Sequence, residues 1–161
     1  SLKLIDILIM DLEEALKISG QDIIENAASY FSSAETPSFV ITNGAKTIFA
    51  KAQKGLFRET KLLTLPVSEK VGLDLKANPG IKGDTTGCGD NFAGGIIASL
   101  AWQMKNRQKG EFNFTEALSW GVASGGFSCF TIGGTYIEEK PGEKLKLVEP
   151  LQKAYRKQIE N

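Results

Sequence analysis

Residues 83 to 95 read "GDTTGCGDNFAGG" and run directly into the apolar stretch that begins at Phe92. No other stretch limits the fold so tightly. Phe92, Ile96 and Leu100 recur every fourth residue, with Ala93, Ile97, Ala101 and Met104 beside them, and this spacing predicts a long helix starting near Cys88. A helix that opens there leaves its first amides unpaired and carries a partial positive charge at that end. Gly87 and Gly89 remove the side chains that would obstruct those amides, so the Gly87, Cys88 and Gly89 backbone can close around an anion. No lysine follows the last glycine, so this is not the phosphate loop of the G-x-x-x-x-G-K type.

Two aspartates flank the turn. Asp90 in the first helical turn is either a favourable cap or, beside a bound phosphate, a carboxylate that accepts the proton of an attacking hydroxyl. Asp84, outside the turn, reads either as a turn residue or as a group that orients a cation.

The chain contains no histidine, which removes histidine-based acyl transfer and histidine metal sites, and leaves carboxylates, amides, lysines or bound ions to do any chemistry. Lysine plus arginine balances aspartate plus glutamate at 19 each, so no net field draws in nucleic acid or an anionic membrane. No apolar run reaches the roughly 20 residues a spanning helix requires. Two cysteines, Cys88 and Cys129, are too few for a disulfide framework and are not spaced as metal ligands; a reducing cytoplasm is the simple expectation. Cys88 reads as a small residue at a tight helix start and Cys129 as core. Trp102 and Trp120 read as packing residues, and the lysines between 140 and 157 as a solvated face.

Along the chain, "LIDILIM" (4 to 10) reads as a strand buried on both faces. Asp11 then precedes a short helix that closes at Gly20, and residues 21 to 34 carry a second helical pattern broken by Thr36 and Pro37. Asn43-Gly44 between two apolar runs signals a hairpin, "GLFRETKLLTLP" adds a third strand ending at Pro66, and 67 to 83 reads as loop. Thr115 caps a further helix rich in glycine, "TIGGT" ends it, and the tail forms a last amphipathic helix with Pro150 near its start. Strands mixed with helices give an α/β class.

"DTTGCGDNFAGG" resembles the carboxy-terminal signature of the PfkB, or ribokinase-like, carbohydrate kinases, with Cys88 where alanine is common. The resemblance implies a ribokinase-like three-layer α/β/α fold of which residues 1 to 161 form the C-terminal, nucleotide-binding half. It implies ATP-dependent phosphoryl transfer to a sugar hydroxyl, with Gly87, Cys88 and Gly89 as anion hole and Asp90 as base. Weaker echoes fall in the same order. "DILIMDLEEA" is similar to the segment whose glutamate helps hold magnesium, giving Glu14 that role; Asp11 replaces the usual asparagine, which either strengthens metal binding or weakens nucleotide binding. "VITNGAKT" is similar to a strand and turn bordering the nucleotide, placing Thr42, Asn43 and Gly44 there, though Thr47 departs from the pattern. "ALSWGVASGGFSCFTIGG" is similar to the helix and loop lining the adenine pocket, which points to Val122, Gly125, Gly126 and Gly133. Many members also hold a monovalent cation such as K+ through carbonyls, and by position Asp84, Thr86, Ser128, Thr131 and Gly133 would serve.

The resemblance leaves the sugar-gripping half unrepresented. The expectation is therefore a kinase fragment, inactive alone, whose uncovered strand edge and helix faces self-associate or meet the missing half. The non-enzymatic alternative is a shortened domain that binds nucleotide or folds against a partner. A kinase for a small vitamin alcohol on the same scaffold remains a third reading.

Overall fold

The computed structural model describes residues 4–33, 38–81, 83–106 and 110–160. Backbone contacts divide it into two compact units, Ser1–Val67 with Gln108–Phe114, and Ser68–Arg107 with Thr115–Asn161.

The first unit holds four strands, β1 (Leu8–Asp11), β2 (Ser38–Thr42), β3 (Thr47–Ala52) and β4 (Leu63–Pro66), with two helices, α1 (Leu12–Ser19) and α2 (Ile24–Ser33). The strand order is β1-β2-β3-β4. β1 runs parallel to β2, and β2-β3 and β3-β4 are antiparallel, so the sheet is mixed. A parallel neighbour needs a crossover, and α1 and α2 supply it. Phe31 from α2 packs against Phe39 of β2 with ring centroids 5.7 Å apart. Met10, Ala15, Ala27, Ala28, Ile41 and Phe49 complete that core. Burying each large apolar side chain there contributes roughly 1.5–3 kcal/mol.

α1 forms as its sequence dictates. Asp11 caps it by accepting the Glu14 amide at 2.8 Å, while the Glu14 carboxylate accepts the Asp11 amide at 3.0 Å. This reciprocal pair satisfies two otherwise orphan donors. Gly20 closes the helix in the left-handed conformation, φ 68°. At the hairpin, the Asn43 amide donates to the Thr47 carbonyl at 3.0 Å, and Gly44 alone takes a positive φ, 53°.

The second unit is helical: α3 (Glu69–Ala77), α4 (Cys88–Asn106), the body of α5 (Phe114–Ser128) and α6 (Glu143–Glu160). Its core joins Val71, Ala123, Phe127, Val148 and Leu151. Glycines set how closely these helices approach. A Cβ at Gly95 would lie 2.4 Å from the Trp120 carbonyl oxygen, and one at Gly126 would lie 2.8 Å from Val71 Cγ2.

Several expectations are corrected. The strand expected over 4 to 10 is β1 at Leu8–Asp11, with only Met10 buried, because it lies at the edge of the described sheet. The expected loop over 67 to 83 contains α3, capped by Ser68, whose Oγ accepts the Val71 amide at 3.3 Å. Gly72 and the every-second-residue apolar pattern at Val71, Leu73 and Leu75 hid it. Pro150 lies inside α6, not near its start. An interior proline costs a helix about 3 kcal/mol, offset here by burial of Val148, Leu151 and Tyr155 on one face. Cys129 is partly exposed rather than core. Trp102 is 65% exposed because the buried stripe of α4 runs through Phe92, Ile96 and Ser99 and leaves it outside. The break expected at Thr36 and Pro37 lies outside the described residues. Among the described residues no helix is long and apolar enough to cross a membrane.

Candidate functional site

The turn that opens α4 is built from backbone. Gly87 takes φ 71°, a conformation that disfavours any side chain, and its carbonyl accepts the Asn91 amide at 2.8 Å as the first bond of the helix. Of the three amides expected to face an anion, that of Cys88 already donates to the Thr85 carbonyl at 3.3 Å. Those of Gly87 and Gly89 have no partner among the described residues. A Cβ at Gly89 would meet nothing within 4 Å, and the residue is exposed.

A second loop lies against this turn. A Cβ at Gly134 would sit 2.4 Å from the Thr86 carbonyl oxygen and 2.9 Å from Gly87 Cα, so the two backbones touch where glycine alone fits. Two side chains fasten them. Asp84 accepts the Thr86 amide at 2.9 Å and the Gly133 amide at 3.2 Å, while its own amide donates to Thr131 O at 3.2 Å. The Gly133 amide, and after it that of Thr86, holds the Asp84 carboxyl below the usual carboxylate range. Asn91 Nδ2 donates to Gly87 O at 2.9 Å and to Gly134 O at 2.7 Å, and its Oδ1 accepts from Lys144 Nζ at 2.7 Å.

A cavity of about 700 Å3 opens over this junction, within the second unit. Gly87, Asp90, Asn91, Gly133, Tyr136 and Lys144 are among the residues that line it. Asp90 is exposed, and its carboxylate has no hydrogen-bond or ion-pair partner among the described residues. A carboxylate without a partner among the described residues, the Gly87 turn and a lysine thus line one cavity. Such a set can hold an anionic group and take up a proton beside it.

The remaining expected residues fall in two places. Thr86 lines the cavity beside Gly87. Val122, Gly125 and Gly126 lie on α5, where Val122 is 6% exposed. A Cβ at Gly125 would lie 3.0 Å from Cys88 O and 3.2 Å from Phe92 Cβ, so that space is filled by α4. In the first unit, Asp11 and Thr42 are register partners at the carboxyl ends of β1 and β2, and Glu14, Asn43 and Gly44 adjoin them. Ligands of open α/β sheets gather at that end of the strands. Among the described residues no cluster of three or more acidic, cysteine or histidine groups could hold a metal. A magnesium ion held mainly by phosphates and water needs only one or two carboxylates, which the Asp11–Glu14 pair can supply. The Asp84 carboxylate accepts the Thr86 and Gly133 amides, whereas Asp11 and Glu14 each accept one amide and keep their other carboxylate oxygen for such a role.

Asn91, Gly134, Tyr136 and Lys144 were not singled out by the sequence. Asn91 sits inside the signature without a role read for it, and Lys144 lies within an alternating charge run that resembles a solvated face.

The fold carrying this site is that of the ribokinase-like kinases, a mixed sheet accompanied by helices. The resemblance noted in the sequence is therefore matched in three dimensions. An aminoimidazole riboside kinase from Salmonella enterica, solved with its riboside and an ATP analogue, superposes with a TM-score of 0.64 at 19% identity, covering 94% of this chain and 43% of that one. A putative ribokinase from E. coli gives 0.59 at 18% identity over 94% and 40% of the two chains. A fructokinase from Vibrio cholerae, solved with fructose, ADP and calcium, gives 0.54 at 19% identity over 81% and 39%. The chain thus spans about two-fifths of the length of these kinases. No protein-family model and no curated protein sequence matches it.

Proposed function

We propose that this chain is the C-terminal, nucleotide-handling portion of an ATP-dependent sugar kinase of the PfkB type, with Asp90 as its catalytic base. One observation carries the reading: the unpartnered Asp90 carboxylate and the left-handed Gly87 turn at the start of one helix line one cavity together with Lys144. In the proposed reaction a sugar hydroxyl oxygen attacks the terminal phosphoryl group of ATP, its proton passes to Asp90, and ADP leaves. The Gly87 and Gly89 amides, with the positive end of α4, stabilise the charge on the transferring group. Lys144 adds a cation to the same wall. A carboxylate within reach of the attacking hydroxyl can take up its proton directly, so activation by a histidine is unnecessary. Thr42, Asn43 and Gly44 border the nucleotide in this reading, with Gly133 nearer the adenine, while Val122, Gly125 and Gly126 pack α5 against its neighbours. Magnesium supplies charge neutralisation on the phosphates, held by Asp11 and Glu14. Thr86 and the carbonyls beside Asp84 would take a monovalent cation such as K+. The reaction belongs to the cytoplasm, where ATP is abundant.

Calorimetric titration with ADP and ATP, with and without magnesium, tests the reading. Saturable binding that Gly87→Asp abolishes supports it. Heat changes identical in both proteins would refute the nucleotide site.

A second reading is nucleotide binding without catalysis. Phosphoryl transfer to a sugar by the protein that carries this segment, lost in Asp90→Asn, decides between the two.

A further inference from the structure

The chain has two cysteines, 41 residues apart, and the fold brings them together. Cys88 is the first residue of α4 and Cys129 the first after α5. Their sulfurs lie 3.4 Å apart, both thiols are free, and both residues are partly exposed. The approach is enforced by backbone. A Cβ at Gly125 would lie 3.0 Å from Cys88 O, and one at Gly83 would lie 1.8 Å from Cys129 O. These glycines press the end of α5 between residue 83 and the start of α4, which holds the two cysteine backbones close together. Ser128 Oγ adds a polar neighbour 3.1 Å from Cys88 Sγ.

We propose that Cys88 and Cys129 are a covalent modification site, a dithiol that closes to an intramolecular disulfide when a hydroperoxide reaches it. Cys88 Sγ attacks the terminal oxygen of the peroxide, the O–O bond breaks, and a sulfenic acid forms while the first water or alcohol leaves. Cys129 Sγ then attacks the Cys88 sulfur, the S–O bond breaks, and a second water departs. Two thiols lose two protons and two electrons in all, and one peroxide is reduced. Burial, with the neighbouring Cys88, pushes the Cys129 thiol up to about 11, and a thiol that keeps its proton is the slower nucleophile. Bond formation needs the sulfurs to approach from 3.4 Å to the disulfide length of about 2.05 Å. Side-chain rotation at two helix ends can supply most of that movement.

The test treats the full chain with hydrogen peroxide, then counts thiols, measures the intact mass and maps peptides. The expected result is loss of both thiols in a monomeric product, lighter by two hydrogens, with a dithiothreitol-sensitive link between the peptides of Cys88 and Cys129. Cys88→Ser and Cys129→Ser should each lose their one thiol without any internal link, Cys129→Ser stopping at a sulfenic or more oxidised sulfur. The wild-type mass alone decides the matter if either variant folds poorly. Added oxygen on separate cysteines, links between chains, or two thiols that persist under peroxide would each overturn the proposal.

Discussion

Asn91 and Lys144, 53 residues apart in sequence, meet at 2.7 Å between Oδ1 and Nζ on the wall of the cavity. The other end of the Asn91 amide donates to Gly87 O and Gly134 O, so one side chain joins the opening turn of α4, the Gly133–Gly134 loop and the start of α6. Asn91→Ala removes both donors at once. Lost hydrogen bonds to half-buried carbonyls predict a loss of about 1–2 kcal/mol in stability, read as a lower urea midpoint. Lys144→Met leaves those two bonds and should cost less than half as much, while lowering ADP affinity. If Lys144→Met and Asn91→Ala destabilise equally, the asparagine is not the joint described.

Glycines in the signature separate into two kinds. A Cβ at Gly83 would lie 1.8 Å from Cys129 O, backbone against backbone, whereas one at Gly89 meets nothing within 4 Å. Gly83→Ala should therefore destabilise by more than about 2 kcal/mol. Gly89→Ala, in the first turn of a helix and outside the positive-φ region, should leave the melting temperature equal or slightly raised. The same methyl stands beside the Gly89 amide, so ADP binding should weaken. A Gly89→Ala protein that binds ADP normally would remove that amide from the anion site.

The sequence made some of this legible because the physics was local. The Asp11–Glu14 capping pair, the Gly20 stop and the Asn43-Gly44 turn each depend on residues within a few positions, and each formed. The start of α4 was readable for the same reason. What stayed hidden depends on distant neighbours. Lys144 looks solvated until α6 is placed beside Asn91, and Cys129 looks like core until Gly83 and Gly125 bring it to Cys88. The glycines of α5 invited a ligand reading, yet the space beside Gly125 holds α4 and that beside Gly126 holds Val71. Small residues permit approach without saying what approaches.

Asp84 gives a pH signature. The Gly133 and Thr86 amides lower its pKa in the folded chain. A folded value below the unfolded one, about 3.9, gives stability that is present above the unfolded value and is lost as pH falls through the folded one. Wild type should therefore lose stability below pH about 4, and Asp84→Asn should lose less over that range because its amide does not titrate. Because Asp84 is partly exposed, the difference is small and is best read as urea midpoints at matched ionic strength. Parallel acid profiles in the two proteins would show that the carboxylate does not fasten the Gly133 loop.

The outward face of α4 makes the last prediction. Ile97 is 64% exposed and Met104 62%, with the exposed Ala101 between them at helical spacing and Trp102 beside them. A soluble chain seldom leaves so continuous an apolar stripe uncovered. Ile97, Trp102 and Met104 are all largely exposed among the described residues. The expected outcome is concentration-dependent self-association through α4, visible by light scattering. Ile97→Lys together with Met104→Lys should restore the monomer without lowering the melting temperature, since both side chains are already in water. Wild-type chain that stays monomeric at high concentration, or a double variant that associates as strongly, would show that the stripe is not sticky on its own.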